Sequence, residues 1–215
     1  MGRHSEAQPE QRPAETWDQF YSESTRIWSG NPNSALVSQV AELSPGTALE
    51  LGCGEGADAI WLAERGWQVT GIDVSGVALE RAAEHALSAG VAESTDWERH
   101  DLALWQPSRS YDLVTALFLH SMIDFPREPI LRAAAAAVAP GGSLLVVGHE
   151  SFPPWSEHRP DASDFPPAEN VAEALGLAGA GWRVHTASVP GRVATGPEGQ
   201  AAQLTDSVLL ARRPA

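Results

Sequence analysis

A short acidic, glycine-rich segment is the part of the sequence that most clearly predicts chemistry. It reads ELGCGEG over residues 50–56 and continues the apolar run 47–51. Glycines at the junction of a strand and a helix let the backbone turn sharply and approach a ligand closely. Because Gly52, Gly54 and Ala57 also fit the spacing of a dinucleotide-binding loop, the glycines alone leave the ligand open.

The charge of this segment favours a cationic ligand. A dinucleotide would place its anionic pyrophosphate at the N-terminus of the following helix, where Glu50, Glu55 and Asp58 would oppose it. A carboxylate at the tip of the strand suits a positively charged ligand instead. Glu55 and Asp58 have a second interpretation, as first-turn acids that complement the helix dipole. Asp73 ends the next predicted strand and suits the hydroxyls of a ribose in either kind of ligand.

Two histidines are predicted at the same edge of the sheet. His120 follows the apolar run 111–119, and His149 follows the apolar run 143–148. Because the carboxyl ends of parallel strands share an edge, either histidine could act as a general base; the alternative is a hydrogen-bonded histidine that lines a pocket. His149 and His158 have no third partner at a suitable spacing, so no metal site is predicted.

The elements that must position these residues alternate between strand and helix. Strands are predicted over residues 47–51, 67–74, 94–99, 111–119, 143–148, 182–189 and 204–211. Helices are predicted from residue 15, over 34–43, from the glycine loop to 65, and over 77–89, 126–139 and 168–178. This alternation predicts an α/β fold, a single-domain, doubly wound, Rossmann-like sheet that is mostly parallel and has a C-terminal antiparallel hairpin.

The chain is expected to hold one domain behind a short tail. Residues 1–13 are predicted to form a disordered N-terminal tail. Residues 14–215 are predicted to form the domain, with an N-terminal helical cap over about 14–44. The aromatic segment 15–33 and the proline-rich segment 149–167 lie on either side of the predicted edge, and we expect both to cover it.

The bulk composition argues against several classes of partner. The formal net charge is −14, from 28 acidic and 14 basic residues. Such a surface repels phosphate backbones and anionic membranes, so neither nucleic acid nor a membrane is expected as a partner. The one cysteine, Cys53, allows no internal disulfide and is interpreted as a small residue in a tight loop. Because the sequence shows no signal-peptide core and no apolar run of membrane length, a cytoplasmic location is expected. The oligomeric state stays open.

The glycine loop belongs to a longer run that resembles a known family. Residues 48–75, ALELGCGEGADAIWLAERGWQVTGIDVS, resemble the first two motifs of the class I S-adenosylmethionine-dependent methyltransferases. The likeness continues through His100-Asp101-Leu102, residues 111–114 and Pro140-Gly141-Gly142. It implies S-adenosyl-L-methionine as the cofactor and a small-molecule methyl acceptor as the partner.

The resemblance implies a role for individual motif residues. The loop glycines would contact the methionine portion of the cofactor, Glu50 would support that end through water, and Asp73 would bind both ribose hydroxyls. Asp101 and Leu102 would hold the adenine, although Asp101 also fits a simple turn acid. The cofactor-binding residues implied are Trp28, Glu50, Gly52, Cys53, Gly54, Gly56, Asp73, Val74, Asp101, Leu102 and Leu117. His120 and His149 are the catalytic candidates.

A narrower likeness concerns the acceptor. The segments GADAIWLAERGWQV, YDLVTALFLHSM and GWRV…LTDSVLLARR are similar to the tellurite-resistance and thiopurine S-methyltransferase group. Trp28 with Asn31-Pro32-Asn33 resembles the aromatic turn by which such enzymes close over the cofactor. This likeness implies a thiol or another soft acceptor. A natural-product O- or N-methyltransferase with a histidine base is the alternative. An NAD-dependent oxidoreductase or a non-catalytic nucleotide-binding protein is a remote one.

Overall fold

A seven-stranded sheet flanked by helices forms the frame of the protein. The computed structural model describes residues 12–151, 154–155, 165–195 and 197–215. The strands are β1 (Thr47–Leu51), β2 (Gln68–Asp73), β3 (Thr95–Arg99), β4 (Tyr111–Leu117), β5 (Val138–His149), β6 (Arg183–Thr195) and β7 (Ala201–Arg212). The helices are α1 (Pro13–Ser22), α2 (Ser34–Val40), α3 (Ala57–Ala63), α4 (Gly76–Ser88), α5 (Arg127–Ala136) and α6 (Ala168–Ala174). The predicted α/β class is confirmed.

The strand order leaves a crevice at one edge of the sheet. The strands run β3-β2-β1-β4-β5-β7-β6. Neighbouring strands from β3 through β2, β1 and β4 to β5 pair in parallel. In contrast, β7 is antiparallel to both of its neighbours, β5 and β6. The chain first builds outward from β1 to β3 and then reverses at β4. At such a switch point the loops after the two neighbouring strands diverge, which opens a crevice at their carboxyl ends. The predicted mostly parallel sheet with a C-terminal antiparallel hairpin is therefore confirmed.

Apolar packing on both faces holds the central strands in place. In β1, Leu49 and Leu51 belong to one buried apolar cluster and Ala48 belongs to the other. In β4, Val114 and Leu113 divide in the same way. A strand covered on both faces has a nearly continuous apolar sequence, which is why these strands were predicted. Their fixed carboxyl ends support the loops of the crevice.

Helix α1 is anchored to the beginning of α4, close to the crevice. The carboxylate of Asp18 accepts hydrogen bonds from Ser75 Oγ at 2.7 Å and from the Arg99 guanidinium at 2.9 Å. Ser75 is also the N-cap of α4, where its hydroxyl accepts from the amide of Ala78. Pro13, which was predicted to end the tail, begins α1. Residues 1–11 lie outside the described residues, so the tail and the domain bounds stay predictions.

Strand β5 begins earlier than predicted. Pro140-Gly141-Gly142 was expected to end a helix before the strand, but β5 already starts at Val138, which pairs with Tyr111 of β4. The amide of Tyr111 donates to the carbonyl of Ala137 at 2.8 Å. The last residues of the predicted helix, from Val138, therefore pair with β4 as part of the sheet. A Cβ on Gly142 would lie 2.9 Å from a backbone oxygen of β4. Close approach of two backbones, rather than helix termination, explains this glycine.

Other element ends also differ from the predicted ones. Helices α2 and α6 stop at Val40 and Ala174, before the predicted ends at 43 and 178. β6 and β7 run further than predicted because they pair with each other almost to the tip of their hairpin. Within the described part of the chain, no helix is long and apolar enough to cross a membrane.

Candidate active site

The glycine loop makes a tight turn between β1 and α3. The amides of Gly52 and Cys53 both donate to the carbonyl of Ile72, at 2.8 and 3.0 Å, and so tie the loop to β2. Gly56 has a φ of +83°, and a Cβ there would lie 2.8 Å from the ring of Trp97. Both the backbone angle and the space therefore require glycine.

Asp73 connects the glycine loop to the end of β2. Its side chain is 8% exposed; one oxygen accepts from the amide of Gly54 and the other from the amide of Ser75, both at 2.9 Å. Burial raises the pKa of Asp73, and these two amide hydrogen bonds oppose the rise. Because each carboxylate oxygen can accept more than one hydrogen bond, Asp73 can hold the loop and still accept from a ligand.

Glu50 is a buried carboxyl group with an unsatisfied oxygen. It is 3% exposed, and among the described residues its Oε2 has no hydrogen-bond partner. Burial raises the pKa of Glu50 well above its usual range, and the charges of Asp58 and Asp73 act in the same direction. Burial also raises the pKa of Asp58, to about 6. A buried acceptor without a donor costs free energy, so this end of the site suits a ligand with a positive charge.

Cys53 and Asp101 have structural roles within their loops. Burial raises the pKa of the Cys53 thiol well above its usual range. A protonated, buried thiol is a poor nucleophile, which supports the interpretation of Cys53 as a small loop residue. Oδ1 of Asp101 accepts from the amide of Ala103 at 2.9 Å. Asp101 therefore stabilises a turn, which was the alternative to adenine binding in the sequence analysis. It also lines the crevice.

The two remaining acids of the loop region hold the N-terminal segment. Glu55 accepts from the amides of Ile27 and Trp28 at 3.1 and 3.0 Å, and from the Arg81 guanidinium at 2.9 Å. Burial alone would raise the pKa of Glu55, but the hydrogen bonds from the Trp28 amide and Arg81 outweigh it and lower the pKa. Asp58 accepts from the amide of Asn33. We call residues 23–33 the cap segment, because they lie over the glycine loop.

One large cavity joins these features. Its volume is about 1310 Å³, and the glycine loop, the cap segment and the ends of β4 and β5 enclose it. The predicted site residues on its wall are Trp28, Glu50, Gly52, Cys53, Gly56, Asp73, Val74, Asp101, Leu102, Leu117, His120 and His149. Gly54 is not part of the wall. A Cβ on Gly54 would lie 2.8 Å from the hydroxyl of Tyr21, so this glycine permits the close packing of α1.

Aromatic rings line the part of the cavity at the ends of β4 and β5. Phe118 follows β4 with a φ of +49° and stacks on His149 with the ring centroids 4.4 Å apart. Phe165 lies with its ring centroid 4.3 Å from that of His120. A positive φ is uncommon for a bulky residue, and such strained positions occur preferentially at functional sites.

His120 is held in its neutral form. Burial lowers the pKa of His120 to about 3, and the positive charge of Arg127 and the neighbouring His149 add to the effect. Its buried Nε2 has no hydrogen-bond partner among the described residues. Arg127 begins α5 and donates from Nε to the carbonyl of Leu119 at 3.3 Å. A histidine that resists protonation to this degree is a weak general base.

His149 lies beside a carboxylate that sequence reasoning missed. Nδ1 of His149 is 3.7 Å from Oδ1 of Asp206, which is 5% exposed and also lines the cavity. Asp206 lies in β7, directly opposite His149 of β5 in the antiparallel register. Only that register shows the pairing, because the two residues are far apart in sequence. Within the described residues, no cluster of three or more potential metal ligands occurs, and His158 lies outside them.

Comparisons with known proteins concern the same part of the chain. Residues 48–142 match a family described as a methyltransferase domain. The chain is 28% identical over 152 residues to thiocyanate methyltransferase 1 of Brassica oleracea, covering 65% of this chain and 66% of that protein. It is 38% identical over 100 residues to a ubiquinone biosynthesis O-methyltransferase of Idiomarina loihiensis, covering 45% and 40%.

A solved structure with a similar fold is TehB from Haemophilus influenzae. Its TM-score is 0.68 at 19% identity, over 91% of this chain and 66% of that one. At 19% identity, TehB supports the fold alone. The chain spans less than two thirds of the length of the Brassica and Idiomarina relatives. The motifs, the family match and the fold agree. Residues 48–142 match the methyltransferase-domain family, and S-adenosyl-L-methionine is the cofactor that the motifs in this range imply.

The acidic end of the cavity fits this cofactor. S-adenosyl-L-methionine carries a sulfonium and an ammonium, and the unsatisfied Oε2 of Glu50 offers an acceptor for a cationic group. Asp73 offers further acceptor capacity for ribose hydroxyls at the end of β2. A pyrophosphate would instead meet the buried carboxyls of Glu50 and Asp73 and the partly buried carboxyl of Asp58. The local charge thus disfavours the dinucleotide that the glycine spacing left open.

Proposed function

We propose that this protein transfers the methyl group of S-adenosyl-L-methionine to a small molecule, with a thiol or another soft atom as the acceptor. The observation that carries the proposal is the division of one cavity into two ends. The acidic end, at β1 and β2, contains the unsatisfied oxygen of Glu50 and the carboxylate of Asp73, whereas the aromatic end, at β4 and β5, contains Phe118, His120 and His149. A cofactor at the first end leaves the second end for the acceptor.

Within this proposal the wall residues divide the work of binding. Glu50 faces the amino-acid portion of the cofactor, Asp73 accepts from the ribose hydroxyls, and the loop after β3 with Asp101 and Leu102 holds the adenine. Gly52, Cys53, Gly56, Val74 and Leu117 line the cofactor between these points, with Gly54 supporting the loop from behind. Trp28 belongs to the cap segment, lines the cavity and would contact the bound cofactor.

The chemistry asks mainly for alignment. When bound, the cofactor would supply a methyl group on a sulfonium: the acceptor's lone pair would form the new bond to the methyl carbon, and the carbon–sulfur bond would break with its electron pair left on the sulfur. The protein holds the acceptor in line and excludes water with Phe118, Phe165 and the cap segment. Alignment of this kind can contribute about 7–11 kcal/mol to a reaction of two bound partners.

Two features favour a soft acceptor. A thiol ionises near pH 8.5 and is strongly nucleophilic, so it needs little help from a base. The aromatic end of the cavity supplies little such help from His120, whose pKa burial lowers to about 3. The name of the Brassica relative, thiocyanate methyltransferase 1, also describes a sulfur-containing acceptor.

The second candidate function is an O- or N-methyltransferase that uses a histidine base. The observation in its favour is the proximity of His149 to Asp206, because a carboxylate can orient an imidazole for proton transfer. The Idiomarina relative is named as an O-methyltransferase. Thiols and hydroxyls therefore belong in the same assay.

The experiment that tests the proposal is methyl transfer from labelled S-adenosyl-L-methionine to a panel of thiols, phenols, amines and small anions. We expect labelled product with at least one thiol or anion and faster transfer than to the matched phenol. Isothermal titration with the demethylated cofactor and with NAD provides the control on cofactor identity. Transfer only to phenols or amines would favour the second candidate. Binding of NAD without binding of the adenosyl compounds would overturn both.

A further inference from the structure

The pair of His149 and Asp206 has features of a prepared proton acceptor. Nδ1 of His149 lies 3.7 Å from Oδ1 of Asp206, and both residues line the same cavity. Since this pair of residues is directly opposite across β5 and β7, the strands themselves fix the spacing of the two side chains. The carboxylate faces Nδ1, so Nε2 is the ring nitrogen on the side away from Asp206.

The surroundings leave room for this arrangement. A Cβ on Gly191 would lie 2.5 Å from Oδ2 of Asp206, so a residue with a side chain there would displace the carboxylate. Gly191 lies at the irregularity in the pairing of β6 with β7, between Pro190 and Val193. On the other side, the ring of Phe118 stacks on His149 with an interplanar angle of 27° and restricts its rotation.

The two histidines of the cavity have different electrostatic surroundings. The ring of His120 lies 5.8 Å from that of His149, and the positive charge of Arg127 helps burial to lower the pKa of His120. His149 has a carboxylate beside it instead. Paired titratable groups in opposite environments are a common way to assign different protonation roles within one site. Of the two rings, only that of His149 has a described carboxylate beside it.

We infer that Asp206 is a positioning residue that keeps the Nδ1 proton of His149 directed toward its carboxylate, so that Nε2 accepts the proton of the methyl acceptor. The inference rests on the proposed function. The acceptor's proton moves to Nε2, and the lone pair released on the acceptor atom forms the new bond to the methyl carbon. The imidazolium that results is neutralised by the carboxylate of Asp206, and it loses its proton to solvent after product leaves.

The inference extends the substrate class to acceptors that arrive protonated. With the pair in place, a thiol would react below the pH at which it ionises alone. Among the described residues, the titratable and charged groups that face His149 are Asp206 from β7, His120 from the loop after β4, and Arg127 from the start of α5 through His120. β6 contributes Gly191 at this point, and the described neighbour from the segment before α6 is Phe165, both uncharged.

The first test is a direct measurement of the His149 tautomer by nitrogen-15 NMR on the full chain without acceptor. We expect the neutral ring to carry its proton on Nδ1 in the wild type and in Asp206→Glu. In Asp206→Asn the amide can donate to Nδ1, and we expect the proton to move toward Nε2. A wild-type ring protonated on Nε2 would overturn the inference without reference to any variant.

The second test is the pH profile of kcat/KM for a thiol acceptor whose own pKa is close to the usual value. Relative to the wild type, we expect Asp206→Asn to be slower by roughly 10–100-fold at pH 6.5 and within about twofold at pH 9.5, where such a thiol is largely ionised. His149→Ala should give the same profile, and the double variant should be no slower than either single variant. Asp206→Glu should recover part of the loss.

Glu150→Gln is the matched control, because Glu150 is an exposed acid next to His149 that accepts from Ser188 Oγ at 2.8 Å and does not line the cavity. It should leave the profile unchanged. An equal loss at both pH values in Asp206→Asn, with cofactor titration unchanged, would indicate a packing role and overturn the inference. If no acceptor in the panel is methylated although the cofactor binds, the proposed function fails, and the NMR result still decides the position of the proton.

Discussion

At Glu50, the needs of cofactor binding and of protein stability oppose each other. It lies at the tip of β1, buried, with one oxygen that no described residue satisfies. A charged group in this position destabilises the protein without its ligand, since burial opposes ionisation. Proteins retain such groups where function needs them. The structure thus allows the roles of Glu50 in folding and in cofactor binding to be measured separately.

Glu50→Gln should stabilise the ligand-free protein and weaken cofactor binding. Because burial raises the pKa of Glu50 in the folded state, wild-type stability should fall as pH rises from the ordinary carboxyl range through that raised pKa. The substitution removes this loss, so its melting temperature at pH 7.5 should be higher by about 2–4 °C for each kcal/mol regained. Differential scanning calorimetry from pH 5 to 8 measures the difference, and Glu64→Gln is the control at an exposed acid, the C-cap of α3.

The same substitution should remove the pH dependence of cofactor affinity. A cationic ligand favours ionised Glu50, so wild-type affinity should increase as pH rises, with release of a proton on binding. Titration calorimetry in two buffers of different ionisation enthalpy measures that proton. An affinity for S-adenosyl-L-methionine equal to that of the wild type, with the same proton release, would exclude Glu50 from the cofactor site.

Asp73→Ala should weaken the cofactor more than it weakens the fold. Its carboxylate accepts from two loop amides and, in the proposed function, from the ribose as well. A hydrogen bond to a charged group contributes roughly 1.5–3 kcal/mol, so cofactor affinity should fall about 10–150-fold. Asp96→Ala, an exposed acid in the neighbouring β3, provides the control. An unchanged affinity would assign Asp73 to loop structure alone.

At the scale of elements, the buried carboxylate of Glu55 holds the middle of the cap segment, while Asp58 holds its end at Asn33. Glu55 holds the amides of Ile27 and Trp28, and Arg81 connects Glu55 to the carbonyl of Ser24. These contacts join residues that are far apart in sequence. They convert the acids of the glycine loop into anchors for the segment that covers the cofactor end of the cavity.

Glu55→Ala should release the cap segment while the sheet stays intact. We expect faster hydrogen exchange over residues 23–33, slower exchange again when cofactor is added, and an affinity several-fold lower because the segment must be ordered on binding. Glu80→Ala on α4 removes an exposed acid and should change neither measurement. If exchange in the cap segment of Glu55→Ala matches the wild type, the hydrogen bonds to Glu55 are not what holds it.

The elements show what sequence patterns could and could not predict. β1 and β4 were predictable because strands covered on both faces have continuous apolar sequences, and the ends of such strands located Glu50 and Asp73. The beginning of β5 was not predictable. Pro140-Gly141-Gly142 has the sequence of a helix end, but these residues belong to a strand that pairs with β4. Asp206 was missed for a related reason, since its role depends on the register of a hairpin and no local pattern specifies that register.

At the scale of the whole molecule, every proposed site residue lies at one edge of the sheet. The reversal of strand order between β1 and β4 opens the cavity there, and α1 with the cap segment covers it. The acidic end is built by β1, β2 and the glycine loop, whereas the aromatic end is built by β4, β5 and β7. The two ends belong to different halves of the sheet. Substitutions at the acidic end should therefore affect the cofactor, and substitutions at the aromatic end should affect the methyl acceptor.

This separation predicts how the two cavity histidines respond to the identity of the acceptor. With a thiol at pH 9.5, where it is largely ionised, His120→Ala and His149→Ala should stay within about twofold of the wild-type rate, because an ionised thiol needs no base. With a phenol or an amine, loss of the working histidine should lower the rate by about 10²–10⁴, the usual contribution of a general base. We expect that histidine to be His149, since burial and Arg127 keep the pKa of His120 low. Rates of the wild type and both variants over a pH series, with cofactor affinity measured separately, decide between the acceptor classes. A thousandfold loss for the ionised thiol in either variant, with cofactor affinity intact, would contradict an unassisted thiolate reaction and would assign that histidine to holding the acceptor itself.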